Sequence, residues 1–164
     1  MADSMKDQAA GLRAMFRRYP TQRISVAGAM AGVGATSVAL GAAIEAARSG
    51  LRVTVIDEHQ GLGSATARLG LTSRLDLLQA INRDAPLASV PLLSQHGVTV
   101  VPAARLAQNS RQLNRLQLEA LDEALIELTR ETELLIVDCA LEESQLSALA
   151  RRADRLAVVT AASG

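Results

Sequence analysis

Gly28-Ala29-Met30-Ala31-Gly32-Val33-Gly34-Ala35-Thr36 is the stretch whose reading decides how this chain folds. It follows a β-branched run, Ile24-Ser25-Val26, and opens onto an alanine-rich helical stretch, Ser37 to Arg48. Strand, glycine loop and helix in that order make a phosphate cradle, because backbone N–H groups and a helix N-terminus converge where an anion can sit. The phosphate-loop spacing G-x-x-x-x-G-K-[ST] can be laid on Ala29–Thr36. Its second glycine is then Gly34 and its hydroxyl Thr36, but its first glycine is Ala29 and its lysine Ala35. The stretch reads as a phosphate loop with its charge removed.

Outward from the loop, Gln22–Ala27 is the first strand, and Gly50 stands where a helix C′ glycine belongs. Leu51–Asp57 is the second strand and ends on a carboxylate. Residues 64–94 read as short helical pieces around Leu69, Leu75, Leu77, Leu78 and Ile81, punctuated by Pro86 and Pro91. Gly97–Pro102 is a third strand. Residues 109–131 read as the longest helix, with Leu113, Leu116, Leu121, Leu125 and Leu128 as a core-facing stripe. Glu133–Asp138 is a fourth strand, again ending on Asp, followed by a helix over 142–153 and a fifth strand, Arg155–Thr160. Five apolar strands alternating with helices predict an α/β fold. Its parallel sheet is buried on both faces and carries its ligand site at the carboxyl ends of the strands.

Before the first strand, residues 3–19 read as an amphipathic helix with Met5, Ala9, Leu12 and Phe16 on one face and Lys6, Arg13, Arg17 and Arg18 making it basic. Pro20 and Thr21 separate it from the rest, so residues 1–21 form a helix and linker and 22–164 the domain. Such a helix either docks on its own domain or binds a partner or membrane surface.

Composition narrows the classes. Seventeen Lys and Arg balance seventeen Asp and Glu, which gives no footprint for nucleic acid. The single cysteine, Cys139, excludes an internal disulfide and fits a reducing compartment. No apolar run approaches a membrane span and no secretory signal opens the chain, so the expected location is the cytoplasm. The two aromatic residues, Phe16 and Tyr19, both precede the first strand, so the domain has no ring to stack on a base.

A nucleotide hydrolase joins a glycine loop to a hydroxyl and a strand-end Asp that hold Mg²⁺, and to a further carboxylate that orients water. Thr36 and Asp138 are the metal candidates, and Asp57 is a candidate for facing the phosphates. Another reading is a dinucleotide-binding oxidoreductase. Gly32-Val33-Gly34-Ala35-Thr36-Ser37 imitates G-x-G-x-x-G, and Asp57 stands where a ribose-binding carboxylate would.

Asp7-Gln8-Ala9-Ala10-Gly11-Leu12-Arg13 matches the D-Q-A-x-x-L-R motif at the N-terminus of FlhG/FleN proteins, MinD/ParA-type ATPases that control flagellar number and placement. The glycine loop, Val55-Ile56-Asp57 with Gly61, Val98–Pro102 and Leu135-Ile136-Val137-Asp138 follow in the family's order, so the chain resembles that family over about residues 5–160. The resemblance implies a P-loop NTPase fold. The family's K-G-G-V-G-K-T falls on Met30–Thr36, where both lysines are replaced (Met30, Ala35) and the first glycine is Ala31, while Gly32, Val33, Gly34 and Thr36 remain. In its D-A-D segment the first Asp is Asp57, and the second, which helps position water, is His59.

These departures imply ATP or ADP with Mg²⁺ held weakly by Gly32 to Ser37, and weak or absent hydrolysis. Removing one charge-assisted hydrogen bond to phosphate costs about 1.5–3 kcal/mol, roughly 10–150-fold in affinity. ParA-type domains continue past the fifth strand with elements that complete the base pocket and a homodimer, and FlhG proteins end in a membrane-targeting helix. Against that pattern the chain is expected to be a naturally short form or a fragment, without membrane contact from that helix. The N-terminal motif in the family stimulates the FlhF-type signal-recognition GTPase, its Gln reaching the partner's active site. That role falls here on Gln8, with Asp7, Leu12, Arg13 and Phe16 docking, and recruitment to the cell pole would come through a partner.

Overall fold

The computed structural model describes residues 20–141 and 145–161. The N-terminal motif residues Asp7, Gln8, Leu12, Arg13 and Phe16 lie outside them. Five parallel strands carry the fold: β1 (Gln22–Gly28), β2 (Val53–Asp57), β4 (Val98–Pro102), β5 (Leu134–Asp138) and β6 (Arg155–Val159). A two-residue strand, β3 (Leu92–Leu93), pairs antiparallel with β4. The sheet order is β3-β4-β2-β5-β1-β6.

Each central strand is apolar at consecutive positions because each feeds two cores. Along β5, Leu135 and Val137 face one layer and Ile136 the other. Along β2, Val53 and Val55 share the layer of Ile136, while Ile56 points to the opposite one. A period-2 backbone with both faces covered demands this near-continuous hydrophobic run. Helix α1 (Ala35–Arg48) covers one face through Ala39, Leu40 and Ala43. Its alanines let it lie close to the strands. The other face is covered by α3 (Leu77–Ile81), α4 (Ala104–Gln108) and α5 (Arg115–Thr129), through Leu77, Leu106, Leu121 and Leu125. One further short helix, α2 (Ala65–Arg68), follows β2.

The α1 terminus follows the sequence expectation. Ser49 is its C-cap, and the Gly50 and Leu51 amides donate back to the Ala47 and Ala46 carbonyls, the Schellman pattern.

Three expectations change. The helix over 109–131 is broken: 109–114 is a turn, and Asn114 caps α5, its Oδ1 accepting from the Gln117 amide at 3.0 Å while its own N–H donates to Gln117 Oε1 at 2.9 Å. This reciprocal capping box starts the helix at Arg115. Leu116 leaves the expected stripe because it lies about 140° around the helix from Leu121; it is 74% exposed, and Leu118 and Ala124 join Leu121 and Leu125 against the core. The helix over 142–153 is absent from its described part, 145–153, where a 3-10 turn at Ala150–Arg152 is held by Ser25 Oγ donating to the Ala150 carbonyl at 2.8 Å. Finally, the sheet has a sixth strand, β3, too short to leave a pattern in sequence.

Truncating Leu121, wholly enclosed between helix and sheet, should destabilise the protein by about 3 kcal/mol through reduced transfer energy and a residual cavity. Leu116→Ala should fall within about 0.5 kcal/mol of wild type. Urea unfolding midpoints of the two variants check this, and equal losses would restore Leu116 to the core.

Candidate functional site

The loop between β1 and α1 is shaped by three glycines. At Gly28 a Cβ would stand 2.7 Å from Val33 Cγ1 and 3.0 Å from the Met30 carbonyl oxygen, so the loop can fold back on the strand end only over glycine. Gly32 and Gly34 hold φ of +76° and +94°, conformations that L side chains rarely adopt. Gly34 is also the N-cap of α1, and no side chain caps this helix or places a carboxylate in its first turn. Its leading N–H groups are thus left for a ligand, at the positive end of the helix macrodipole.

The loop borders an open cavity of about 380 Å³, which is lined from Met30 to Thr36 and by His59, Arg68, Cys139 and Ala140. Thr36 is buried in its wall, whereas Met30 is exposed at 64%. Ser37 touches the lining through Arg68, whose Nη1 donates to its Oγ at 2.7 Å.

Two carboxylates end neighbouring strands in register, Asp57 beside Asp138. Their environments differ. Asp57 is buried and fully engaged: Oδ1 accepts from the His59 amide at 3.1 Å, and Oδ2 from the Thr66 amide and hydroxyl at 2.7 and 2.6 Å. It lies outside the cavity lining and anchors α2. Asp138 is 0% exposed, and neither oxygen has a hydrogen-bond partner. Its neighbour is His59, whose Nε2 stands 3.5 Å from Oδ1. The adjacent carboxylate holds the imidazole above its usual range, against the opposing effect of burial.

Glu58 stands between these groups, and no sequence motif marks it. It is buried, with Ser147 Oγ donating to Oε1 and the Ala140 amide to Oε2 at 3.1 Å. Burial pushes its carboxyl up to about 7 in spite of both hydrogen bonds, and Asp138 adds to the shift. The run Asp57-Glu58-His59, three titratable residues leaving an apolar strand, is the signal that sequence offers for it. Cys139 is also buried, which pushes its thiol up to about 12 and keeps it protonated.

The donor set fits a nucleoside phosphate in shape. Two positive-φ glycines and an uncapped 14-residue helix offer backbone N–H groups, and Asp138, buried behind His59 of the lining, makes no hydrogen bond of its own. It fits poorly in charge, because the loop has no lysine. Among the described residues, no cluster of three His, Cys, Asp or Glu side chains is placed to hold a metal alone. A divalent ion here would therefore depend on ligand oxygens as well as on Thr36 and Asp138. Arg68 carries no sequence signal either, since only the return of α2 toward the loop brings it to the cavity. No helix among the described residues is long and apolar enough to cross a membrane.

No family model matches the chain. It is 34% identical over 129 residues to Antiactivator FleN of Pseudomonas aeruginosa, a match covering 79% of this chain and 46% of FleN. The chain thus spans about half the length of this curated relative. Among solved structures, cobyrinic acid a,c-diamide synthase from Mycobacterium smegmatis, with a bound ATP analog and magnesium, superposes with a TM-score of 0.70 at 23% identity. That likeness covers 85% of this chain and 59% of the synthase. The septum site-determining protein MinD from Pyrococcus horikoshii, with Mg-ADP, gives a TM-score of 0.63 at 18% identity, over 85% of this chain and 58% of MinD. These likenesses show the fold.

Glu58 and His59 make stability pH-dependent in one direction. The folded-state value of Glu58 lies above 4.5, so the stability it contributes is present below that pH and lost as pH rises through about 7. His59, held above 6.5, likewise loses its contribution as pH rises through its folded value. Thermal stability should therefore fall from about pH 5 to about pH 8. Glu58→Gln should flatten this slope, by up to about 3 kcal/mol at the alkaline end. Melting curves across that range check it, and an unchanged slope would clear Glu58 of the effect.

Proposed function

We propose, from the premise that this chain is FlhG/FleN-like in sequence and MinD/ParA-like in fold, that it is a regulator of flagellar biosynthesis and number that acts through partner binding rather than nucleotide turnover. The observation that carries this reading is the 34% identity to a protein named an antiactivator. An antiactivator works by engaging another protein.

In this reading the loop from Gly32 to Ser37 binds ATP or ADP weakly by its backbone, and Thr36 and Asp138 hold Mg²⁺ directly or through water. Structural relatives hold ATP analog, ADP and magnesium, which supports the ligand class. The bound ion would neutralise phosphate charge. Without a lysine at Met30 or Ala35, charge developing in a phosphoryl transition state has no clamp from the loop, and this lowers rate more than binding. His59 further approaches Asp138 where the family pattern has a water-positioning carboxylate. Hydrolysis is accordingly weak or absent, and the nucleotide acts as a sensed ligand, with homodimer formation a further element of the reading.

The activity assigned to the N-terminal segment is stimulation of an FlhF-type signal-recognition GTPase. Gln8 is inserted to orient water there, and Asp7, Leu12, Arg13 and Phe16 dock the helix. Partner binding would also recruit the protein from the cytoplasm to the cell pole. Nucleic acid is not a partner in this reading, because basic and acidic residues balance. A second reading, a working ATPase with an atypical loop, draws on the unbonded Asp138 oxygens.

Adding the protein to an FlhF-type GTPase should raise GTP turnover at least tenfold, and Gln8→Ala should abolish the rise. Phosphate release from ATP by the protein alone should stay near background. An unchanged GTPase rate with wild type would sink the regulatory reading, and Mg²⁺-dependent ATP turnover that disappears in Asp138→Asn would establish the second.

A further inference from the structure

The cavity beside the glycine loop has a cation that the loop does not supply. Among the described residues lining it, Arg68 is the one Arg or Lys. Its guanidinium donates to Ser37 Oγ at 2.7 Å, and no carboxylate among the described residues pairs with it. Ser37 belongs to the first turn of α1, where no acidic side chain offsets the positive end of the helix macrodipole. Arg68 is exposed, so water solvates the rest of its guanidinium, and donors remain for an anion at the loop.

Its position is built. Arg68 closes α2, whose start is fixed by Ser64 Oγ accepting from the Ala67 amide and by Thr66 bonding Asp57 through both its amide and its hydroxyl. The strand-end carboxylate thus serves the cavity by placing a cation in it. On the same lining, His59 reaches Asp138, a fully buried carboxylate with both oxygens unbonded, a group left for the cation that accompanies a polyphosphate.

We propose that Arg68 is the phosphate-binding cation of this site. On binding of a nucleoside di- or triphosphate, its guanidinium leaves the Ser37 hydroxyl for non-bridging phosphate oxygens. The planar fork of donors matches two such oxygens at once. It thereby supplies from α2 the charge that lysines at Met30 and Ala35 would supply from the loop. The inference rests on the nucleotide reading above and adds to it the residue that makes binding feasible.

Calorimetric titration of the whole chain with Mg·ADP tests it, using wild type, Arg68→Ala, Arg68→Lys and Ala35→Lys. Arg68→Ala should weaken binding at least tenfold and reduce the dependence of affinity on salt. Arg68→Lys should recover part of the loss. The ligand-free melting temperature of Arg68→Ala should match wild type, since the side chain meets one exposed hydroxyl. Equal affinities for wild type and Arg68→Ala would overturn the role of Arg68 while leaving the nucleotide site standing. Binding by Ala35→Lys alone would do the same, by showing a usable cradle that Arg68 does not charge. No binding by any of the four proteins would overturn the nucleotide reading itself.

Discussion

Two carboxylates side by side at the ends of parallel strands cannot both be left bare, and the arrangement of this site follows from how each is accommodated. Asp57 takes three hydrogen bonds, from the His59 amide and from Thr66, and in doing so fixes where the chain turns into α2. Asp138 takes none and relies on the imidazole of His59 at 3.5 Å. A buried ion without a partner costs several kcal/mol. The unbonded carboxylate therefore needs a positive group, which His59 supplies within the fold. Glu58, next in sequence, cannot add a third full charge cheaply, and burial holds its proton to near neutral pH.

The glycine loop imposes a complementary condition. It keeps the backbone form of a phosphate cradle, through the close approach at Gly28 and the left-handed glycines 32 and 34, while its lysine positions are methionine and alanine. Backbone N–H groups remain in place because they also start α1, which packs Ala39, Leu40 and Ala43 under the sheet. The fold needs the cradle whether or not phosphate is turned over. The loop is thus held by packing as well as by any ligand it takes.

The main architecture was legible in the sequence because apolar runs such as Val53–Ile56 and Leu135–Val137 have no other stable use than strands covered on both sides. The position of the site followed from the loop and the strand-end aspartates. What was not legible depended on competition and on tertiary return. Asn114 and Gln117 outcompete the apolar period from 109 and start a helix late, and Leu116 lies off the face that buries Leu121 and Leu125. The state of Asp57 depends on Thr66, nine residues on, and that of Glu58 on Ser147, far along the chain. Arg68 reaches the cavity only because β2 and α2 fold back beside α1.

A preformed backbone cradle that lacks only charge would still draw phosphate to its loop amides, and the amide ¹H–¹⁵N shifts of the loop during addition of Mg·ADP report this. The largest, saturable shifts should fall on Gly32, Gly34 and Thr36, with the β-strand amides unmoved. Shifts centred elsewhere, or none up to millimolar nucleotide, would contradict it.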